Sequence, residues 1–138
     1  MRIESFNDLL VAARAQPQPQ RLLLVFTQAE LPDQPTAEQR QQFQAGRGGV
    51  LTPQICVDKT PDELSSFAAL LAEAQSLGAD WQIVFAAALS GSGGQAPTEA
   101  QTNAALQRMV EAIKQGQVGG LIPFDLAGQP LRLGEAAN

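Results

Sequence analysis

Phe6, Leu9, Leu10 and Ala13 recur at the spacing of one helix face, and Ser5 stands where its hydroxyl can accept from the backbone N–H near Asp8. The pattern predicts a first helix over about Ser5 to Ala15. Pro17 and Pro19 end it, because neither donates to a helix and each biases the preceding residue to extended geometry. Leu22 to Phe26 is an unbroken apolar run of strand length, which predicts a buried strand. After a loop from Leu31 to Pro35, Thr36 reads as an N-cap with Gln39 at the capping-box position. That opens a short Gln-rich helix with Phe43 its one large anchor, stopping near Gly46. The turn Gly46-Arg47-Gly48-Gly49 leads to a strand over Val50 to Val57, where Pro53 requires an edge position or a break.

The second half follows the same order. Thr60-Pro61-Asp62-Glu63 combines an N-cap, a proline at the first helical position and a capping-box glutamate, so a helix is predicted to start there. Leu64, Phe67, Leu71 and Ala74 share its face, and Gly78 supplies a left-handed C-cap. Trp81 to Leu89 reads as a second buried strand, followed by a flexible Gly/Ser loop. Thr98 caps a long helix in which Leu106, Met109, Val110 and Ile113 line one side, ending at Gly116. Gly120 to Phe124 and Leu131 to Leu133 read as a hairpin around Asp125-Leu126-Ala127-Gly128, and the last five residues as a frayed end.

The two halves match in detail. Ser5-Phe6, Leu9-Leu10 and Ala13 recur as Ser66-Phe67, Leu70-Leu71 and Ala74; Val25-Phe26 and Ala29 recur as Val84-Phe85 and Ala88. Pro35-Thr36 with Gln39 recurs as Pro97-Thr98 with Gln101, and Gly48-Gly49-Val50-Leu51 as Gly119-Gly120-Leu121-Ile122. The separations are 61, 59, 62 and 71 residues, so the differences fall in connectors and in the fourth helix. Two explanations fit: a diverged duplication, which the common order favours, or chance likeness among Ala-, Gln- and Leu-rich amphipathic segments. The expected fold is α/β, one domain over 1–138 with pseudo-repeats at about 1–59 and 60–133. Internally duplicated helix-strand-helix-strand units would form one mixed sheet of four to six strands with packed helices.

Composition narrows the chemistry. The 138 residues suffice for one core. Nine basic and fourteen acidic residues give a net charge of -5. The cations are scattered singly rather than clustered against phosphates, which disfavours nucleic acid as a partner. Met1-Arg2-Ile3-Glu4-Ser5-Phe6 does not resemble a signal peptide, and no apolar stretch is long enough to span a bilayer, so no membrane association is expected. Cys56 is the only cysteine, which excludes an internal disulfide and suits a cytoplasmic protein. The absence of His and Tyr removes the usual neutral-pH base, the commonest transition-metal ligand and every Ser-His triad. No catalytic residue, metal site or cofactor is expected.

Few residues stand out as binding candidates. Ser90, Gly91, Ser92, Gly93 and Gly94 lie between a buried strand and a capped helix, where backbone N–H groups can approach an anion. They lack the Lys-Ser/Thr ending of a P-loop and the spacing of a dinucleotide fingerprint, so a plain connector is the simpler reading. Arg47 within its glycine turn could clamp a carboxylate or phosphate, against the simpler reading of a solvated surface residue. Cys56, between Ile55 and Val57, reads as a buried, inert thiol. Asp58-Lys59 and Asp125 are explained by turns, Asp62 and Glu63 by the helix dipole, and Trp81 and Phe85 by the core.

Ala29-Glu30-Leu31-Pro32-Asp33, the stretch from Gly49 through Lys59, Ala88-Leu89-Ser90-Gly91 and Leu106 to Asp125 carry a resemblance. They resemble a family of small proteobacterial proteins often labelled "ribonucleotide reductase subunit alpha". The likeness covers nearly the whole chain as segments, with no catalytic motif among them. A reductase large subunit needs a thiyl-forming cysteine, a redox-active cysteine pair and a barrel several times this length. One cysteine and no tyrosine therefore carry over no catalytic role. The leading expectation is a non-catalytic protein-interaction or regulatory module, through self-association or a protein partner. The alternative is a small-molecule or anion binder using Ser90 to Gly94 and Arg47, with a pocket at the strand ends near the fourth helix. An accessory role in nucleotide reduction stands third.

Overall fold

The structure, a computed structural model, describes residues 3–31, 34–45, 50–64, 66–78 and 80–131. Helix and strand alternate as the change of hydrophobic period requires: α1 Phe6–Arg14, β1 Gln20–Glu30, α2 Ala37–Gln44, β2 Val50–Lys59, α3 Phe67–Ser76, β3 Ile83–Ser90, α4 Glu99–Lys114 and β4 Ile122–Phe124. The strands form one four-stranded sheet in the order β2-β1-β3-β4. Every pairing is antiparallel, so the sheet is not the mixed one expected. A parallel pair needs a crossover that carries the chain back along the sheet. The helix between β1 and β2 buries none of its residues, so β2 enters directly beside β1 in the opposite direction.

The central run Leu22 to Phe26 is apolar throughout because both faces of β1 are covered. Leu22, Leu24 and Phe26 face α1 and α3 in a core with Phe6, Leu10, Leu70, Trp81, Val84 and Phe124. Leu23 and Val25 face the other way, with Phe85, Ala105, Met109 and Ile113 of α4. Full burial of a Leu or Phe side chain contributes about 1.5–3 kcal/mol, so these two layers dominate folding. Phe6 packs edge-on against Phe124 at 5.2 Å and Phe26 against Trp81 at 4.9 Å.

The Ser5 and Ser66 hydroxyls accept from the N–H groups of Asp8 and Ala69, opening α1 and α3. This corrects the helix start expected at Thr60. Thr60 and Glu63 do exchange capping-box hydrogen bonds, at 2.8 and 3.2 Å, and these hold the Glu63 carboxyl below its ordinary pKa. They close only an isolated turn, however, and Leu64 plugs it into the core before Ser66 starts the helix. Thr36 and Thr98 each carry a complete capping box, with Gln39 and Gln101. Gly78 and Gly116 follow their helices with φ of 76° and 74°, the left-handed region that favours glycine.

The matched dipeptides of the two central strands meet across the sheet. β1 and β3 lie side by side at the centre, where Val25 pairs with Phe85 and Phe26 with Val84. Those are the two repeated dipeptides, paired reciprocally as a two-fold axis between the strands requires. β2 and β4 take the two edges. The symmetry fails at the remaining helices: α4 buries Thr102, Ala105, Met109 and Ile113, whereas α2 buries nothing.

Candidate functional site

The Ser90–Gly94 segment is a tight hairpin rather than a flexible loop. The Ser92 and Gln95 backbones exchange hydrogen bonds of 3.0 Å, and Gly93 and Gly94 have φ of 60° and 78°, the signs of a type I′ turn. Its donors are largely taken: Gly91 N–H by the Pro19 carbonyl, Ser92 N–H by Gln95, and Gly94 N–H by the Gln18 side chain, at 2.8, 3.0 and 2.8 Å. The Ser90 hydroxyl accepts from the Gln20 side-chain amide at 2.7 Å. A Cβ on Gly91 would lie 1.8 Å from the Gln95 carbonyl oxygen, so the glycine permits close backbone approach to Gln95. The geometry assigns these glycines to joining β1, β3 and α4. Arg47 lies outside the described residues.

A cleft of about 420 Å³ does open at the strand ends beside the start of α4, lined by Arg21, Asp58, Pro97, Glu99, Thr102 and Asn103. None of the five Gly/Ser hairpin residues lines it. Arg21 of β1 donates through Nε to Asp58 of β2, and both side chains are about 30 % exposed, at 29 % and 30 %. Thr102 is buried and donates back to the Thr98 carbonyl. The cleft thus offers a paired arginine, a second carboxylate and an amide. Sequence reading assigned Asp58 to a turn and passed over Arg21, because only the β1–β2 pairing brings them together.

The sheet's two edges differ. Along β4 the chain closes on itself: Phe124 bridges to Pro130, Leu131 N–H donates to the Pro123 carbonyl at 2.9 Å, and the Asp125 carboxylate accepts from Ala127 and Gln129 N–H. Beside β2, among the described residues, no strand lies. Pro53 is therefore on an edge, and a register shift opposite Phe26 and Thr27 leaves Gln54 as a bulge next to it.

Hydrogen bonds on the inner strand fix which β2 groups face outward. The Thr27 carbonyl accepts from Gln82 N–H and the Ala29 N–H donates to Gln82 Oε1, both at 2.8 Å, so Thr27 and Ala29 face β3. Their β2 partners, Pro53 and Leu51, consequently face away from β1. Beyond the bulge, Val25 and Leu23 face β3, so their partners Cys56 and Asp58 also direct their N–H and C=O to the open edge. Ile55, Val57 and Lys59 face β1. Pro53 removes the one donor that would have pointed outward beside the bulge.

Cys56 is exposed on this edge, contrary to the buried position expected. An apolar neighbourhood implies burial only in a strand with neighbours on both sides. Surrounding protein nonetheless desolvates the sulfur and pushes its pKa up from 9.0, so the thiol stays protonated at neutral pH. The only charges on β2 are both engaged: Asp58 with Arg21, and Lys59 with Glu73 of α3 at 2.8 Å.

Comparison with protein-family models, with curated proteins and with solved structures finds no match. Among the described residues no helix is long and apolar enough to cross a membrane, and no three His, Cys, Asp or Glu gather to hold a metal ion.

Proposed function

We propose that this protein is a non-catalytic interaction module that offers the open edge of β2 to an extended segment of a protein partner. The supporting observation is the asymmetry of the two edges. One is closed by the chain's own hairpin at Asp125, and the other carries no unpaired charge, since Asp58 and Lys59 are engaged by Arg21 and Glu73. Open edges are ordinarily guarded by charge, proline or a bulge. Here Pro53 and Gln54 guard one half only, leaving Ile55 to Lys59 able to pair. A reducing compartment such as the cytoplasm suits the single free thiol. The two-fold placement of the repeats supports an origin by duplication, with the second copy's edge closed and the first left open.

Cys56→Pro tests the reading, because it removes an outward donor without touching the β1–β2 ladder. Affinity capture should recover a stoichiometric protein partner with the wild type and lose it with the variant. Equal capture by a folded Cys56→Pro protein would overturn the proposal.

A second reading, a small-molecule or anion binder, is supported by the cleft at Arg21 and Asp58 beside the start of α4. Stabilisation by phosphorylated metabolites in a thermal-shift screen, abolished by Arg21→Gln, would establish it. No shift at millimolar concentration would remove it.

A further inference from the structure

Building on the open-edge reading, we infer that the partner at β2 is a second copy of this chain, paired antiparallel about a two-fold axis through Val57.

The outward-facing groups decide the register. In an antiparallel pair, outward-facing residues must meet outward-facing residues. Pro53 lacks a donor and Gln54 is bulged, which removes the first half of β2 from any regular ladder. The usable outward residues are Cys56 and Asp58, so a symmetric axis can pass through Cys56, Val57 or Asp58. An axis at Asp58 sets Cys56 against the partner's Thr60, whose N–H is already held by the Glu63 carboxylate. An axis at Cys56 sets Asp58 against the bulge at Gln54. The axis at Val57 pairs Cys56 with the partner's Asp58 and Asp58 with the partner's Cys56, two complete hydrogen-bonded pairs. It sets Val57 against the partner's Val57 and Ile55 against the partner's Lys59.

Charge favours this occupant. Asp58 and Lys59 are neutralised within each subunit by Arg21 and Glu73, so the paired stretch meets no like charge and leaves no ion unmatched. A segment carrying uncompensated charge would lose that match. The opposite edge shows the same kind of contact made internally, with Leu131 donating to the outward carbonyl of Pro123. An edge contact alone buries less than a standard interface, so half-dimerisation is expected only at roughly 100 μM or above.

Cysteine cross-linking reads the register. In a Cys56→Ser background, Val57→Cys places two sulfurs across a non-hydrogen-bonded pair, with Cα atoms about 4.5 Å apart and within disulfide reach. Cysteines at 56 or 58 lie on diagonals, about 7–8 Å apart. Under a glutathione redox buffer, Val57→Cys in the Cys56→Ser background should form covalent dimer roughly tenfold faster than wild type, or than Asp58→Cys in that same background. Sedimentation of the wild type should show a concentration-dependent dimer that Cys56→Pro abolishes. Preferential cross-linking of native Cys56 would overturn the Val57 register. A wild type that stays monomeric at millimolar concentration, with no cross-link at any position, would overturn self-pairing. The open-edge reading would survive that outcome if Cys56→Pro still lost a captured protein partner, and would fall if capture were unchanged.

Discussion

Proline substitutions at two adjacent β2 positions should have opposite consequences. Val57 pairs with Leu24 and faces β1, so Val57→Pro removes a ladder donor and leaves the carbonyl of fully buried Leu24 without its partner. Leaving a buried acceptor unsatisfied costs about 1–3 kcal/mol, and fixing φ at the proline value in a strand adds to it. The sum is about 3 kcal/mol, or a fall in Tm of roughly 10 °C for a chain of this size. Cys56 faces outward, so Cys56→Pro breaks no internal bond; it bears only the cost of fixing φ, which Val57→Pro bears as well, so it should be the milder of the two. Urea unfolding of wild type and both variants at low micromolar concentration measures the difference. Equal destabilisation by the two prolines, or a greater loss from Cys56→Pro, would refute the assignment of inward and outward groups.

The two capping threonines should also separate. Thr98→Ala weakens α4, which covers one face of the sheet, and should lower global stability by about 1 kcal/mol, whereas Thr36→Ala should change it by less than about 0.5 kcal/mol because α2 buries nothing. Matched losses in denaturant melts would show α2 to be part of the core. Gly91→Ala forces a Cβ against the Gln95 carbonyl and should cost about 3 kcal/mol, with calorimetry as the measure and a neutral outcome contradicting the hairpin. Desolvation raises the Cys56 pKa above 9.0, so the folded state holds this proton more tightly than the unfolded chain. Its contribution to stability is complete below pH 9.0 and declines as pH rises through the folded pKa. Alkylation of the native protein should therefore be slower at pH 8 than alkylation of the unfolded chain, and an equal or faster native rate would contradict the shift.

Local signals carried most of the architecture. The caps at Ser5, Thr36 and Thr98, the double-faced apolar run of β1 and the Asp125 turn are contained within a few residues, and each stands where the sequence places it. The Thr60 box misled because it satisfies the same hydrogen bonds in one turn as in a long helix, and only the packing of Leu64 stops it there. Strand direction, by contrast, depends on where α2 fails to pack, which no local pattern contains. The Gly/Ser candidates have a structural use because their donors meet Pro19 and Gln18, more than seventy residues away in sequence. The open edge was half legible: Pro53 announced an edge, but the outward direction of Cys56 follows only from the bonds that Gln82 makes to β1.

Amide hydrogen exchange along β2, followed as a function of protein concentration, probes the open edge most directly. In dilute solution the amides of Ile55, Val57 and Lys59 should be protected, and those of Cys56 and Asp58 should exchange freely. Raising the concentration to the millimolar range should slow Cys56 and Asp58 together while leaving Leu51 unchanged. Free exchange of Cys56 and Asp58 at every concentration, or their protection already in the dilute monomer, would contradict an edge that is open and completed by a second copy.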